Sequence, residues 1–358
     1  MKLLDSVIKV LVVDDSVVFR EMLREGLNKK EGIEVVATAR DPFEARDLLL
    51  EYRPNVMVCD IEMPKMNGIT FIKKVLPQYP IPTIVISSLD NGAFDAMEAG
   101  AVDFVAKCST NLSKKMDQQA FIDEVAQKIR IAKKSRVLIN NNKKIMREEK
   151  ARENDRTRSQ AMNIKKNVAS TDIELIAIGA STGGTEAIAS VLTRLPCDLP
   201  GIVVVQHIPP MFSNMFAQRI NKCTGFNVKE AENGDEIKKG TVLIAPGDKH
   251  LEVKRKGTKL VAVVREGEKV SGHCPSVDVL FNSVAKEIGN KALGVIMTGM
   301  GADGSKGLLA MRKSGSRTIG QDKESCIVYG MPKEAYVLGA VQKQASLENI
   351  PKTILEML

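Results

Sequence analysis

Apolar runs alternate with amphipathic stretches in strict order over residues 1–132, and this pattern restricts the fold more than any other feature. The runs cover residues 7–13, 33–38, 55–59, 82–87 and 102–106, with helical spacing between them and again over 117–132. Strands that are apolar almost throughout must be covered on both faces, which a parallel sheet wrapped by helices provides. A related order returns after residue 171, with runs at 173–178, 201–206 and 292–297 and a helical pattern over 185–195. Two doubly wound α/β domains are therefore expected, and 358 residues are enough for two cores.

The net charge of +8 lies between these domains. Residues 133–170 hold twelve Lys and Arg against four acids, which leaves the rest of the chain neutral. The segment has no Gly or Pro and only weak apolar spacing, so it reads as a polar, partly helical linker. The expected layout is 1–132, a linker over 133–170, and 171–358. A charge run of this kind is a solvated connector, and no nucleic-acid partner is expected. Residues 199–218 are uncharged but contain Pro200, His207, Pro209, Pro210 and Asn214, which excludes membrane insertion of that stretch. Asp5 falls where a signal peptide needs an apolar run, and the six cysteines form no C-x-x-C pair. Reduced thiols in the cytoplasm are expected, without zinc or disulfides.

In a parallel sheet, functional groups gather beyond the carboxyl ends of the strands. In the first domain those ends carry Asp14 and Asp15, then Asp60, Ser87 and Lys107. Converging carboxylates repel, so either some are protonated or a cation sits among them. Hard oxygen donors suit Mg²⁺. A lysine and a hydroxyl opposite would complete a cradle for a phosphoryl group. This set, with Glu62-Met63-Pro64-Lys65-Met66-Asn67-Gly68 after Asp60 and Phe104 ahead of Lys107, resembles the receiver domain of two-component response regulators. The resemblance implies Asp60 as phosphoacceptor and Asp14, Asp15, Asp60 and the Glu62 carbonyl as the Mg²⁺ site. It also implies Ser87, Phe104 and Lys107 as the groups that respond to phosphorylation, with Phe104 turning inward. Cys108 stands where the family has proline.

In the second domain a strand runs into Gly179-Ala180-Ser181-Thr182-Gly183-Gly184 and then a helical pattern. This segment could hold a phosphate at a helix N-terminus, lift Ser181 on a nucleophile elbow, or only let strand and helix pack closely. Two further strand ends favour the elbow. One delivers His207, the other Thr298-Gly299-Met300-Gly301-Ala302-Asp303-Gly304. A serine hydroxyl needs an imidazole to take its proton and a carboxylate to orient that imidazole. His250, after Gly247-Asp248-Lys249 at a hairpin, and His273, in the loop before Pro275, are the other histidines and read as surface residues, with His273 an alternative base.

These motifs, with Gln206-His207-Ile208-Pro209, Ile244-Ala245-Pro246-Gly247-Asp248-Lys249-His250-Leu251 and Pro275-Ser276-Val277-Asp278, resemble the catalytic domain of the CheB protein-glutamate methylesterases. The resemblance implies a serine hydrolase with a Ser181–His207–Asp303 triad and the Met300 N–H as oxyanion donor. Thr182, next after the nucleophile, is expected to supply a second donor. The implied substrates are glutamyl methyl esters and glutamines on chemoreceptor helices, the implied phosphodonor is a chemotaxis histidine kinase, and the esterase step needs no cofactor. The family also implies that the unphosphorylated receiver restrains the Ser181 cleft. Cys274 stands where the family has arginine. The alternative is a response regulator with a nucleotide-sensing or DNA-binding output domain. The first lacks a ribose-binding acid at the right place, Asp198 lying in a Pro196-Cys197-Asp198-Leu199-Pro200 turn, and the second lacks a helix-turn-helix pattern.

Overall fold

The computed structural model describes residues 7–87, 92–107, 115–135, 172–210 and 212–358. The chain divides into two units, residues 1–143 and 144–358. Most of the segment read as a linker, residues 136–170, and Cys108 lie outside the described residues. Among the described residues no helix is long and apolar enough to cross a membrane.

In the first unit the strands are β1 (Ile8–Val13), β2 (Ile33–Ala39), β3 (Val56–Asp60), β4 (Thr83–Ser87) and β5 (Asp103–Ala106). They form one parallel sheet in the order β2-β1-β3-β4-β5. The central strands β3 and β4 are buried at every position, which is why they read as unbroken apolar runs. Helices Val17–Asn28 and Lys115–Lys134 pack against each other, while Pro42–Tyr52, Gly68–Val75 and Gly92–Glu98 form a second contiguous set. Local signals start these helices. Asp41 caps Pro42–Tyr52 by accepting the N–H groups of Phe43 and Glu44, with Pro42 set at the helix start.

Among the described residues the second unit has ten strands. They are β6 (Leu175–Ala180), β7 (Gly201–Gln206), β8 (Asn227–Glu230), β9 (Glu236–Ile237), β10 (Thr241–Ile244), β11 (His250–Lys256), β12 (Lys259–Arg265), β13 (Ala292–Ile296), β14 (Arg317–Gln321) and β15 (Lys343–Ala345). Seven make a parallel sheet in the order β15-β14-β13-β6-β7-β10-β8. The other three, β11-β12-β9, form an antiparallel sheet that the sequence reading reduced to a hairpin at His250. That sheet anchors the helix Val277–Glu287, since Ser283 Oγ accepts Val253 N–H and Glu287 accepts Arg255 N–H. Fully buried Phe212, Phe216 and Phe281 head the core of this unit, each worth roughly 1.5–3 kcal/mol of transfer free energy.

The winding direction sets the site. From β6 the chain runs outward through β7 to β10 and β8, then returns to the other side of β6 with β13. Between β13 and β6 the strand order reverses, and crevices in open α/β sheets form at such points. The carboxyl ends of β13, β6 and β7 therefore lie side by side.

Candidate active site

Beyond Ala180 the chain turns through Ser181, Thr182 and Gly183 into the helix Gly184–Leu192. Gly183 takes φ 74°, a left-handed conformation that favours glycine, and this makes the turn sharp enough to present Ser181 above the sheet. Hydrogen bonds pin the turn from both neighbouring strands. Ser181 N–H donates to Thr298 O at 2.9 Å, and Thr298 Oγ1 donates to Thr182 O at 3.0 Å. On the other side Gln206 Nε2 donates to Ser181 O at 2.8 Å and to His207 O at 3.0 Å. Gly299 completes the approach, because a Cβ there would stand 2.7 Å from Ser181 Cβ.

His207 follows β7, and its N–H bonds to Ala180 O at 3.2 Å. Its Nε2 lies 2.8 Å from Asp303 Oδ2. Asp303 is buried in the loop after β13, where it also accepts Ser276 Oγ at 2.7 Å, Val277 N–H at 2.8 Å and Asp278 N–H at 3.1 Å. The last two belong to the first turn of Val277–Glu287, so the carboxylate sits at the positive end of a helix. Burial opposes its charge, but the hydrogen bonds from His207, Ser276 and Val277 outweigh burial and hold the carboxyl below its ordinary value. An anionic Asp303 makes Nε2 the protonated nitrogen, which leaves the lone pair on Nδ1. Nδ1 is buried without a hydrogen-bond partner.

The remaining histidines are not surface residues. His273 stacks on His207 with ring centroids 3.7 Å apart and planes 13° from parallel. Burial first, then the neighbouring His207 and Lys269, push its pKa down to about 4, against the pull of Asp303. His250 opens β11 and is 1% exposed. Its Nε2 donates to Glu268 O at 2.8 Å and its Nδ1 accepts Ser276 N–H at 3.3 Å. The turn signal ahead of His250 was right; its burial comes from partners distant in sequence. At the mouth of the cleft, Met300 exposes its side chain, and its backbone N–H donates to nothing among the described residues. Thr182 is buried beside Ser181.

At the carboxyl edge of the first unit's sheet, Asp14, Asp15 and Asp60 offer oxygens that all lie within 4.8 Å of one another. Asp14 and Asp60 are buried and Asp15 is exposed. Lys107 Nζ bridges Asp14 Oδ2 at 3.0 Å and Asp60 Oδ2 at 2.8 Å, and lies 4.6 Å from the centre of the Phe19 ring. Burial raises the Asp60 carboxyl to about 6, Lys107 works against this, and Asp14 reinforces it. Asp60 Oδ1 is buried with no partner. An orphaned carboxylate oxygen beside two further acids fits a hard cation. Glu62, exposed, follows Asp60, and Lys107 N–H bonds to Ser87 O at 2.6 Å. Phe104 is 4% exposed and edge-on to Phe94.

Comparison with known proteins agrees with both halves. A family model described as CheB methylesterase matches residues 176–354, and one described as response regulator receiver domain matches residues 10–117. A protein-glutamate methylesterase/protein-glutamine glutaminase of Syntrophomonas wolfei is 48% identical over 351 residues, 98% of each chain. The enzyme of that name from Salmonella typhimurium is 41% identical over 354 residues, covering 98% of this chain and 97% of its own. The crystal structure of the Thermotoga maritima CheB methylesterase catalytic domain aligns with a TM-score of 0.51 at 37% identity. It covers 52% of this chain and 99% of that one. The chain belongs to the CheB methylesterase family.

CheB membership leaves no ground for the nucleotide-sensing and DNA-binding alternatives. Sequence reasoning missed three parts of the CheB cleft. Gln206 appeared only as a motif letter, Ser276 only as a loop residue, and His273 only as an alternative base. The available signal was the placement of Gln206 at the last position of an apolar strand, where a buried amide needs partners.

Proposed function

We propose that the chain hydrolyses glutamyl methyl esters on chemoreceptor helices, with Ser181 as nucleophile, His207 as base and Asp303 as the group that orients the base. The carrying observation is the buried, unpartnered Nδ1 of a histidine whose Nε2 is committed to a buried carboxylate. Ser181 Oγ attacks the ester carbonyl and its proton passes to Nδ1. The Met300 and Thr182 N–H groups receive the developing oxyanion. The C–O bond to the methoxy group breaks, methanol leaves with the proton from Nδ1, and an acyl-Ser181 remains. Water then loses a proton to Nδ1 as it attacks, and glutamate and free Ser181 result. A glutamine side chain follows the same steps with ammonia as leaving group.

Residues 171–358 carry this chemistry, residues 1–132 receive the signal and 133–170 join them. Asp60 accepts a phosphoryl group from a chemotaxis histidine kinase in the cytoplasm. Asp14, Asp15, Asp60 and the Glu62 carbonyl would hold Mg²⁺, which neutralises phosphoryl charge during transfer. Lys107 holds Asp60 on the other side, and Ser87 and Phe104 are the groups that respond to phosphorylation. The test is methanol release from methylated receptor membranes by the wild type and by Ser181→Ala. The variant is expected to lose nearly all turnover while folding normally, and near-normal turnover removes the triad.

A further inference from the structure

The ring of His207 is fixed at one edge only by its bond to Asp303. The last torsion of a histidine side chain is soft, so a hydrogen bond at Nε2 leaves the ring plane free to rock. The Nδ1 lone pair lies in that plane, and its direction changes with every tilt. Against the face of that ring lies the second imidazole, 3.7 Å away and 13° from parallel.

The backbone that carries the second ring is itself held in place. His273 and Val270 exchange two backbone hydrogen bonds of 3.0 Å. Further along the same loop, Ser276 N–H ends on His250 Nδ1 at 3.3 Å and Ser276 Oγ on Asp303 at 2.7 Å. Residues 270–278 thus supply both the ring over His207 and the donors that hold Asp303. Nδ1 of His207, the only buried ring nitrogen left without a partner among the described residues, belongs to the covered ring and not to the covering one.

We infer that His273 is a positioning residue: its ring sets the plane of the His207 imidazole, and so the aim of the Nδ1 lone pair, without taking a proton itself. The inference rests on the triad reading above. The charged groups around His273 are His207, Asp303 and Lys269, and with burial they keep it neutral, its pKa down at about 4. A neutral ring face is then opposed to the imidazole that becomes cationic when Ser181 is deprotonated, an arrangement that favours the cation.

The experiment compares methanol release by the full chain as wild type, His273→Ala, His273→Phe and His207→Gln, with folding followed by thermal unfolding. His273→Ala is expected to lower kcat by about 10- to 100-fold with KM nearly unchanged, the size of effect that a misaimed group produces. His273→Phe, which stacks but cannot titrate, is expected to recover most of that loss and to keep the acid limb of kcat/KM at the wild-type pH. A Phe variant that is folded yet inactive overturns the inference, since the role would then be proton chemistry. A fully active Ala variant overturns it as well, and if Ala does not fold, the Phe variant alone decides. An active His207→Gln would instead sink the triad itself, so the two failures are distinguishable.

Discussion

Asp303 serves His207 and a helix with the same carboxylate: one oxygen lies 2.8 Å from His207 Nε2, while the group as a whole accepts Val277 and Asp278 N–H at 2.8 and 3.1 Å. The helix it caps is Val277–Glu287, not the one that follows it in sequence, Ser305–Lys313. The same donors that stabilise the helix end keep the carboxylate ionised, and an ionised partner is what forces the proton onto Nε2.

Asp303→Asn separates the two roles. An amide can still accept some of these donors, so the loss of stability should be that of a weakened cap, about 1 kcal/mol. Activity should fall by about 10²–10⁴-fold, because an amide N–H facing Nε2 selects the tautomer whose Nδ1 carries the proton. Thermal unfolding and methanol release on one preparation measure both. A rate that falls only in proportion to the folded fraction would reduce Asp303 to a cap.

Gln206 allows a sharper test of geometry. Its Nε2 joins the carbonyls of Ser181 and His207, and the residue is 3% exposed. Gln206→Met keeps the volume and removes both donors; Ser181 O retains Gly184 N–H at 2.7 Å, while His207 O loses its partner, at a cost of roughly 1–3 kcal/mol. The expected result is a lower kcat with little change in KM, and slower labelling of Ser181 by a serine-directed phosphonate. Unchanged labelling would mean that the amide only joins two strands.

These contacts mark the limit of what the sequence disclosed. The strands were legible because burial on both faces leaves an uninterrupted apolar run, as in Val56–Asp60 and Thr83–Ser87. Ser181 and His207 were legible because each directly follows such a run. His250 was misread because its burial depends on Glu268 and Ser276, 18 and 26 residues away. Nothing in the local pattern of Ser271-Gly272-His273-Cys274 indicates that the ring lands on His207. The β11-β12-β9 sheet escaped because its outer strands carry little signal: β11 mixes apolar with charged residues and β9 is only two residues long, so the apolar run at residues 260–264 of β12 had no evident partners.

His273 also gives a pH signature in stability. Its pKa in the folded protein is about 4, lowered from 6.5, so the unfolded chain takes up this proton first as the pH falls. Stability from this group is therefore complete above about pH 6.5 and declines as the pH drops toward about 4. His273→Phe abolishes this component, and the unfolding temperature of the variant should depend less on pH across that window. Parallel curves for the two proteins would contradict a neutral, half-buried His273.

Control by phosphorylation makes the last prediction. Lys107 divides its charge between Asp14 and Asp60, and Asp60 keeps one buried oxygen unpartnered. Phosphorylation of Asp60 replaces one negative charge by nearly two and adds three acceptor oxygens, so Lys107 must redistribute its contacts. The Lys107 N–H bond to Ser87 O couples that movement to the end of β4. A small phosphodonor with Mg²⁺ should raise methanol release by the wild type. Asp60→Asn should abolish the rise and leave the basal rate intact, since Asp60 takes no part in ester hydrolysis. Chelating Mg²⁺ should act in the same way, blocking activation while basal turnover persists. A protein of residues 172–358 assayed beside these tells restraint from stimulation. If it runs faster than the unphosphorylated full chain, the receiver restrains the esterase and phosphorylation releases it. If it runs no faster, phosphorylated residues 1–132 must promote turnover by a positive effect of their own.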